Sequence, residues 1–411
     1  MDYINRAAEK LAKEAVETYK SILVTGARQT GKSTMLEALF PDRKVVTFDD
    51  QFAEDQAKNN PTEFIDLNPP PVTYDEVQYV PSLFRYIKIA CDASKDTGLF
   101  CLTGSQPFKL MKTASESLAG RVSIIELSTL SLREMQKTDF DQSFVPTMEY
   151  VKARQKSAKK PKNIWSIIHR DGYPALQNPK MNWERFFSDY IKTYLERDVR
   201  ALSAVQDLNT FRRFMIACAA RTGQMLNYSN IASEISKDAD TVKNWISILE
   251  ASGIIYILEP YCPSVLNRAI KTPKLYFRDT GLACYLTRWL TPETLANGAM
   301  AGEIFETYVI SEILKSYSNA GIDYHYCVSY YRGKDKKDSS ESEIDFIIEK
   351  DGLLYPVEIK KTSKPAADMT SAFTILDNIP EKKRGTGAVV CMCSAPGALR
   401  ENILAIPVWY V

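Results

Sequence analysis

The chain has 411 residues, with 52 Lys and Arg against 51 Asp and Glu, which gives a formal charge of +1. Hydrophobic residues form 45% of it, enough to build about two to four globular domains. The charge balance excludes a uniformly basic nucleic-acid binder, so any DNA-binding surface must be local. There is no run of about eighteen apolar residues and no apolar secretory segment at the start, so we predict no contact with a membrane.

The eight cysteines are spread along the chain, which predicts free thiols in a reducing, cytoplasmic environment. Cys391 and Cys393 are too close together for a zinc knuckle, and we predict that they lie in a buried strand. His169 and His325 stand apart from each other and from any cysteine pair. We therefore assign neither a metal-binding nor a catalytic role to the two histidines.

Residues 21–39 carry the clearest functional pattern in the sequence. The apolar run at 22–24 predicts a strand, residues 35–39 predict a helix, and the chain between them fits G-x-x-x-x-G-K-[ST]. The glycines let the backbone approach a phosphate closely, so that N–H groups and the helix N-terminus converge on the anion. The alternative is an ordinary glycine-containing turn. We predict a nucleotide-binding loop formed by Gly26, Ala27, Arg28, Gln29, Thr30, Gly31, Lys32, Ser33 and Thr34.

Adjacent carboxylates follow a second short apolar strand. Lys32 of the loop is expected to reach the β- and γ-phosphates of the nucleotide, and Ser33 to bind Mg²⁺. Asp75 and Glu76 end their strand at the edge where parallel α/β sheets bind ligands. We predict that Asp75 holds Mg²⁺ through water and that Glu76 polarises the attacking water. Gln78 is expected near the same edge.

Two more polar residues border predicted strands. Ser105 follows the strand at 99–103 and is a candidate sensor of the γ-phosphate, or else a turn residue with a local hydrogen bond. Arg121 precedes the strand at 122–127. It would either supply positive charge to the phosphoryl transition state, from the same chain or a neighbouring subunit, or form a structural ion pair. The sequence leaves both readings of Arg121 open.

The order GARQTGKST, TYDEVQ, LTGSQ, ESLAGRV and ELSTLSLRE resembles the AAA+ superfamily of P-loop ATPases. More narrowly, nearly the whole chain is similar to prokaryotic AAA-domain ATPases with an uncharacterised C-terminal domain. The resemblance implies a domain at 1–140 with a parallel sheet and helices on both faces. It also implies binding of ATP and Mg²⁺ through Lys32, Ser33 and Asp75, with Glu76 as the catalytic carboxylate. No arginine suited to a second sensor is recognised in a lid helix.

A basic segment separates this domain from the rest of the chain. Lys152 to Lys162 contains six basic residues and no acid. We predict a solvated linker at 141–165, the alternative being an arm that contacts phosphates. A helical domain follows at 166–290.

Residues 227–260 predict two short helices and a β-hairpin, the order of a winged helix-turn-helix. Thr241, Lys243 and Asn244 would then lie at the exposed start of the recognition helix, where base edges are read. The helix contains no Arg and is surrounded by acidic residues, whereas DNA binders neutralise several phosphates. A protein–protein scaffold is therefore an equal alternative to a DNA-binding module.

The C-terminal domain is predicted at 291–411, beginning with an amphipathic helix. A strand at 343–348, a turn at Asp351-Gly352 and a strand at 355–360 form a predicted hairpin. Glu358 and Lys360 are two residues apart on the second strand, so they share one face. Asp345 on the neighbouring strand is within reach of that face.

This acidic residue, followed by E-x-K and preceded by a helical glutamate, resembles the PD-(D/E)XK nuclease core. The resemblance implies a restriction-endonuclease-like α/β domain in which Glu306, Asp345 and Glu358 bind Mg²⁺. Lys360 would position or activate the water. The alternative is a structural cluster without activity.

We therefore predict an α/β protein in which an ATPase with a P-loop parallel sheet is coupled, through a winged-helix-like middle domain, to a nuclease-like domain. Its predicted ligands are ATP and Mg²⁺, and DNA is the expected polymer partner by analogy. The alternative is a nucleotide-dependent switch or adaptor that binds a protein or a second copy of the chain.

Overall fold

The computed structural model describes residues 3–105, 118–195, 199, 205, 207–262, 272–334 and 341–411. In these ranges the helices are α1 Glu9–Thr18, α2 Lys32–Leu39, α3 Gln51–Asn59, α4 Pro61–Leu67, α5 Leu83–Ala93, α6 Leu132–Met135, α7 Met148–Gln155, α8 Ile164–Arg170, α9 Trp183–Tyr194, α10 Leu208–Ala219, α11 Tyr228–Ile235, α12 Ala239–Ala251, α13 Thr280–Leu286, α14 Pro292–Ala296 and α15 Ala301–Ser318. The strands are β1 Ser21–Thr25, β2 Lys44–Thr47, β3 Val72–Asp75, β4 Phe100–Gly104, β5 Val122–Glu126, β6 Gln224–Met225, β7 Ile255–Leu258, β8 Lys274–Phe277, β9 Val328–Lys334, β10 Glu341–Lys350, β11 Leu353–Lys360, β12 Lys383–Arg384, β13 Gly387–Cys391, β14 Gly397–Arg400 and β15 Ile403–Pro407. None of the helices described is long and apolar enough to cross a membrane.

The N-terminal region is a five-stranded parallel sheet in the order β2-β3-β4-β1-β5, flanked by helices. Strand β1 is buried along its whole length because it lies between two neighbours and is covered on both faces. Its last residue, Thr25, pairs with Gly104 on one side and with Glu126 on the other. The carboxyl ends of the strands therefore meet at one edge, and the predicted α/β class is confirmed.

The middle region combines helices with a small antiparallel sheet in the order β6-β8-β7. Helix α11 begins after Asn227, whose side chain accepts from the Asn230 N–H, and α12 begins after the capping Asp238. The helix pair and hairpin predicted at 227–260 are present, although both helices begin earlier than expected. The role of this module as a DNA-binding winged helix stays a prediction.

The C-terminal region is a seven-stranded mixed sheet in the order β14-β15-β13-β11-β10-β9, with β12 added beside β11. Strands β10 and β11 form the predicted hairpin. Its turn residues Asp351 and Gly352 have φ values of 52° and 76°, which is the left-handed pair that a two-residue type I′ turn requires. Cys391 and Cys393 are buried as predicted, but only Cys391 lies in a strand, at the end of β13, and Cys393 follows it.

The solvated linker predicted at 141–165 needs correction, because it contains helix α7. Tyr150, Val151 and Arg154 are buried on one face of this helix. The Tyr150 hydroxyl donates to the Tyr410 carbonyl at 2.8 Å, and Arg154 Nη2 donates to the Trp409 carbonyl at 3.3 Å. The basic composition of the segment did not reveal this buried face, because its lysines are exposed.

Helix α15 lies at the centre of the molecule and is buried on nearly all sides, which is unusual for a helix that carries charged residues. Lys315 Nζ lies 2.9 Å from Glu312 Oε1 and 3.4 Å from Asp171 Oδ1, and it donates to the Leu130 carbonyl at 3.1 Å. Glu312 in turn accepts from the Leu132 N–H at 2.7 Å. Burial acts to lower the pKa of Lys315, but the two carboxylates raise it above its usual value.

We expect Lys315→Met to lower the free energy of unfolding by about 3–5 kcal/mol, because it leaves two buried carboxylates without their cation. Urea denaturation followed by tryptophan fluorescence measures the change. The matched control is Lys192→Met, which removes an exposed lysine that lies 3.7 Å from Asp189. It should change stability by less than about 1 kcal/mol. Equal losses in the two variants would contradict the assignment of Lys315.

Candidate active site

The loop between β1 and α2 has the backbone geometry that a phosphate cradle needs. Gly26 has a φ of 141°, and a Cβ there would lie 2.2 Å from the Leu127 carbonyl oxygen. Gln29 and Gly31 have φ values of 61° and 88°. These left-handed residues turn successive N–H groups toward one side of the loop, next to the N-terminus of α2. The predicted loop conformation is therefore present.

The side chain of Lys32 folds back onto this loop and does not extend into solvent. Its Nζ donates to the carbonyl oxygens of Ala27 at 2.9 Å and Gly26 at 3.2 Å, and the side chain is buried. A buried ammonium held by neutral carbonyls can exchange them for the more strongly attracting oxygens of a phosphate. The position of Lys32 fits its predicted role.

Asp75 receives three hydroxyl donors at the end of β3. Ser33 Oγ donates to one carboxylate oxygen, as does Thr103 Oγ1 at 2.5 Å, while Thr47 Oγ1 donates to the other at 3.2 Å. A serine hydroxyl beside a carboxylate is the oxygen donor set that Mg²⁺ prefers, with water and phosphate oxygens completing the shell. The residues present therefore fit the implied metal, and Ser33 and Asp75 are the groups that would hold it.

Glu76 has a backbone conformation that glutamate rarely adopts, with φ 56° and ψ 44°. Its N–H donates to Thr103 Oγ1 at 3.2 Å. Ser105 Oγ, at the end of β4, donates to Glu76 Oε2 at 3.0 Å. The structure thus brings together the predicted catalytic carboxylate and the predicted phosphate sensor, and it shows Ser105 bound to that carboxylate.

Arg121 is the predicted site residue that lies elsewhere. It precedes β5 and therefore lies at the amino edge of the sheet, whereas the loop is at the carboxyl edge. Its Nε lies 2.5 Å from Asp92 Oδ1 and its Nη2 donates to Asp92 Oδ2 at 3.1 Å. The prediction that Arg121 reaches a phosphate of its own chain is wrong, and the structural ion pair is correct.

Arg6 also contacts the loop, and no pattern in the sequence indicated this contact. Its guanidinium donates to the carbonyls of Thr30 and Ser128, each at 2.7 Å, and to Glu134 at 3.0 Å. Glu134 also closes the capping box of α6 with Ser131. Although burial acts to raise the pKa of Glu134, Arg6 and the backbone donors lower it. One arginine therefore joins the loop to the segment after β5.

The middle region reaches the other side of the loop. A Cβ on Gly253, after α12, would lie 3.3 Å from the Ala27 nitrogen. Arg278 pairs with Glu126, the last residue of β5, and donates to the Tyr324 hydroxyl at 2.5 Å. No pattern in the sequence predicted this contact of Arg278 with Glu126.

The hairpin of the C-terminal sheet brings its predicted residues together. Lys360 Nζ lies 2.7 Å from Glu358 Oε2 and 3.0 Å from Asp345 Oδ2. Burial and the neighbouring charge of Asp345 raise the pKa of Glu358 to about 9. Burial acts to lower the pKa of Lys360, but Asp345 and Glu358 outweigh this effect and raise the pKa above its usual value. The lysine therefore remains charged beside a protonated glutamic acid.

Glu306 faces a different partner from the one predicted. Its carboxylate accepts from the Tyr276 hydroxyl at 2.6 Å and lies 3.4 Å from Lys274 Nζ, which also lies 2.5 Å from Glu343. Burial and Asp345 raise the pKa of Glu306 to about 7. Across the described ranges, no three His, Cys, Asp or Glu side chains are arranged to hold a metal ion. The predicted cluster of Glu306, Asp345 and Glu358 is therefore not formed as a ready metal site, because lysines lie among its carboxylates.

The predicted base-reading residues lie at the start of α12. Lys243 and Asn244 are exposed and Thr241 is partly exposed. The Lys243 ammonium, however, lies 3.2 Å from Asp240, and the Thr241 hydroxyl donates to the capping Asp238 at 2.7 Å. The surface is accessible, yet its one lysine is already paired with an acid.

Comparisons with known proteins found a family match for the region that forms the parallel sheet. Residues 18–136 match a family model described as an AAA domain. Residues 162–293 and 301–411 match two families described only as domains of unknown function, DUF8612 and DUF4143. Uncharacterized proteins of Mycobacterium tuberculosis and Mycobacterium bovis are each 26% identical over 383 residues, covering 90% of this chain and 77% of their own.

Solved structures give weaker similarity. A Walker-type ATPase of Pyrococcus abyssi has a TM-score of 0.43 at 16% identity, covering 69% of this chain and 96% of its own. AMPPCP-bound DnaA of Aquifex aeolicus has a TM-score of 0.31 at 19% identity, covering 61% of this chain and 89% of its own. Both scores lie below 0.5, so nothing about function follows from them.

The pKa of Glu358 gives a pH-dependent prediction. Its folded pKa of about 9 exceeds its usual 4.5, so the folded protein retains a proton that the unfolded chain releases. The contribution of Glu358 to wild-type stability should therefore fall as pH rises from about 4.5 to 9. In Glu358→Gln this loss is absent, so the melting temperature of the variant relative to wild type should rise between pH 5 and pH 9.

The control for this titration is Glu349→Gln on β10, which removes a partly exposed glutamate that is paired with Lys382 at 2.5 Å. Its melting temperature relative to wild type should stay constant over the same pH range. A constant difference in Glu358→Gln as well would show that Glu358 is ionised in the folded protein.

Proposed function

We propose that this protein is an ATPase that binds ATP with Mg²⁺ at residues 26–34 and hydrolyses it with Glu76 as the base. The observation that carries the proposal is the convergence of Lys32, Ser33, Asp75 and Glu76 at one edge of the parallel sheet. Ligands of parallel α/β sheets bind at this edge. The AAA-domain match over residues 18–136 supports the same conclusion.

Each of these residues has a separate task in the proposed reaction. The loop N–H groups and Lys32 bind the phosphates and hold the γ-phosphoryl group in line with the attacking water. Bound Mg²⁺, held by Ser33 and Asp75, would neutralise charge that develops on the phosphate oxygens. Glu76 orients the water and accepts its proton. Ser105 donates a hydrogen bond to Glu76, and its proposed task is to sense the γ-phosphate beside that carboxylate.

The lysine and the glutamate should separate binding from turnover. Lys32→Ala is expected to abolish ATP binding, because the phosphates lose their cation in a site with low solvent access. Glu76→Gln should bind ATP with wild-type affinity and lose turnover by about 100-fold or more. Fluorescent-nucleotide titration and a phosphate-release assay measure the two quantities. Normal hydrolysis by Glu76→Gln would show that another group is the base.

A change in the bound nucleotide would affect the rest of the chain through the contacts that the middle domain makes at the loop and at the end of β5. Gly253 abuts Ala27, and the Arg278–Glu126 ion pair joins β8 to the end of β5. We assign the ATPase to 1–140, the connecting segment to 141–165, the middle domain to 166–290 and the last domain to 291–411. A change at the phosphates would then alter the packing of the middle domain. An arginine from a neighbouring copy of the chain could complete the site, as Arg121 of the same chain does not reach it.

A second proposed activity is Mg²⁺-dependent cleavage of DNA by the C-terminal domain. Its support is the approach of Asp345, Glu358 and Lys360 on adjacent strands. Two acids and a lysine in a buried hairpin carry a desolvation cost that an apolar structural hairpin does not. The lysines among these acids favour the alternative, in which the domain binds a protein partner and the chain acts as a nucleotide-dependent switch.

Cleavage assays distinguish these two activities. If the domain is a nuclease, wild type will cut plasmid or branched DNA when Mg²⁺ and ATP are present, and Lys360→Ala will reduce the rate by about 100-fold or more. Agarose gels of the DNA give the readout, with Lys350→Ala on the same hairpin as a control. Absence of wild-type cleavage on every form of DNA would refute the nuclease proposal and leave the switch.

A further inference from the structure

Gln78 makes contacts that the proposed mechanism has not used. It lies in the turn Val77–Tyr79 and is 6% exposed. Its Nε2 donates to Glu76 Oε2 and to Ser105 Oγ, the latter at 3.3 Å. Ser105 Oγ also donates to Glu76 Oε2 at 3.0 Å. The amide, the hydroxyl and the carboxylate therefore form a closed triangle of hydrogen bonds.

The chemistry of the partners fixes the orientation of the amide. An ionised Glu76 carboxylate can only accept hydrogen bonds, so the NH₂ group of Gln78 must face it. The amide oxygen then points away, and it is buried with no hydrogen-bond partner among the described residues. A buried carbonyl without a hydrogen bond is destabilising, so an apolar side chain would be the better choice if this position served stability alone. The two donated bonds are the contacts that offset this cost.

The backbone of Glu76 explains why its side chain needs such support. Its left-handed backbone departs from the extended conformation of β3, and without further contacts its side-chain torsions would allow the carboxylate several positions. A general base must lie within hydrogen-bond reach of the water that it deprotonates. Two donors on one carboxylate oxygen restrict these torsions and leave the other oxygen for that water.

We propose that Gln78 is a positioning residue for Glu76, and that it links the carboxylate to Ser105 so that both move as one unit when phosphate binds. This inference rests on the proposed ATPase function. Gln78 itself touches neither the phosphates nor the water. Loss of its amide therefore reduces turnover and leaves nucleotide binding, which depends on Lys32 and the loop, unchanged.

The test replaces the amide with a thioether of similar volume. Gln78→Met should lower kcat by about 10- to 100-fold, the scale of a misplaced catalytic group, while the Kd for ATP stays within about twofold of wild type. Gln78→Glu, which keeps the shape and removes the donor, should give the same separation of kcat from Kd. Gln224→Met, at an exposed position on β6, is the matched control and should hydrolyse ATP normally.

A double-mutant cycle tests whether Gln78 acts through Glu76. In the Glu76→Gln background, adding Gln78→Met should change the residual single-turnover rate by less than about twofold, because the positioned group is already gone. A full additional loss would overturn the proposal, as would an unchanged or raised kcat in Gln78→Met. A fall in kcat with an equal loss of ATP affinity and a lower melting temperature would indicate a structural role and also overturn it.

These outcomes separate the two proposals. If wild type hydrolyses ATP and Glu76→Gln does not, while Gln78→Met is normal, only the inference on Gln78 fails. If wild type shows no hydrolysis at all, the ATPase function fails and the role of Gln78 fails with it.

Discussion

The buried ammonium of Lys315 is the interaction on which the rest of the structure depends. It is 2% exposed, and its partners are Asp171 from the middle region, Glu312 from its own helix and the Leu130 carbonyl from the segment after the parallel sheet. A cation so buried is tolerable only when all of its partners are in place. These contacts span 144 and 185 positions of the chain. The one ammonium group therefore links three regions of the chain in the folded protein.

This constraint also explains how closely the nucleotide loop is enclosed. Helix α15 carries Lys315 on one turn and Ser311 on another, and Ser311 donates to the Arg278 carbonyl at 2.7 Å. Arg278 pairs in turn with Glu126 at the edge where the loop begins. A change at the loop would thus meet the middle region through a charged contact that is costly to separate. The end of β5 and the middle region are therefore joined by a charged side-chain contact.

Local patterns in the sequence were sufficient for the loop, the strand ends and the Asp351-Gly352 turn, because each depends on residues close together in the chain. The prediction for Arg121 was wrong because of strand direction. A residue that precedes a parallel strand lies at the opposite edge of the sheet from a residue that follows one. Glu306 was correctly expected near Asp345, but its partner Lys274 comes from another region and no short-range pattern reveals it. The buried face of α7 was hidden because composition, unlike periodicity, does not separate two sides of a helix.

The C-terminal cluster shows how charge and domain arrangement are linked. Glu306, Glu343, Asp345 and Glu358 face the side chains of Lys274, Lys360 and Arg332, so negative charge exceeds positive charge in this partly buried space when all four acids are ionised. The proton retained by Glu358 reduces this excess. Lys274 lies on β8, the strand that also carries Tyr276 toward Glu306. Movement of the middle region that withdraws β8 would remove Lys274 from these cations, and the carboxylates would need a proton or another cation in its place. The charge state of the cluster is therefore a function of how the middle region is docked.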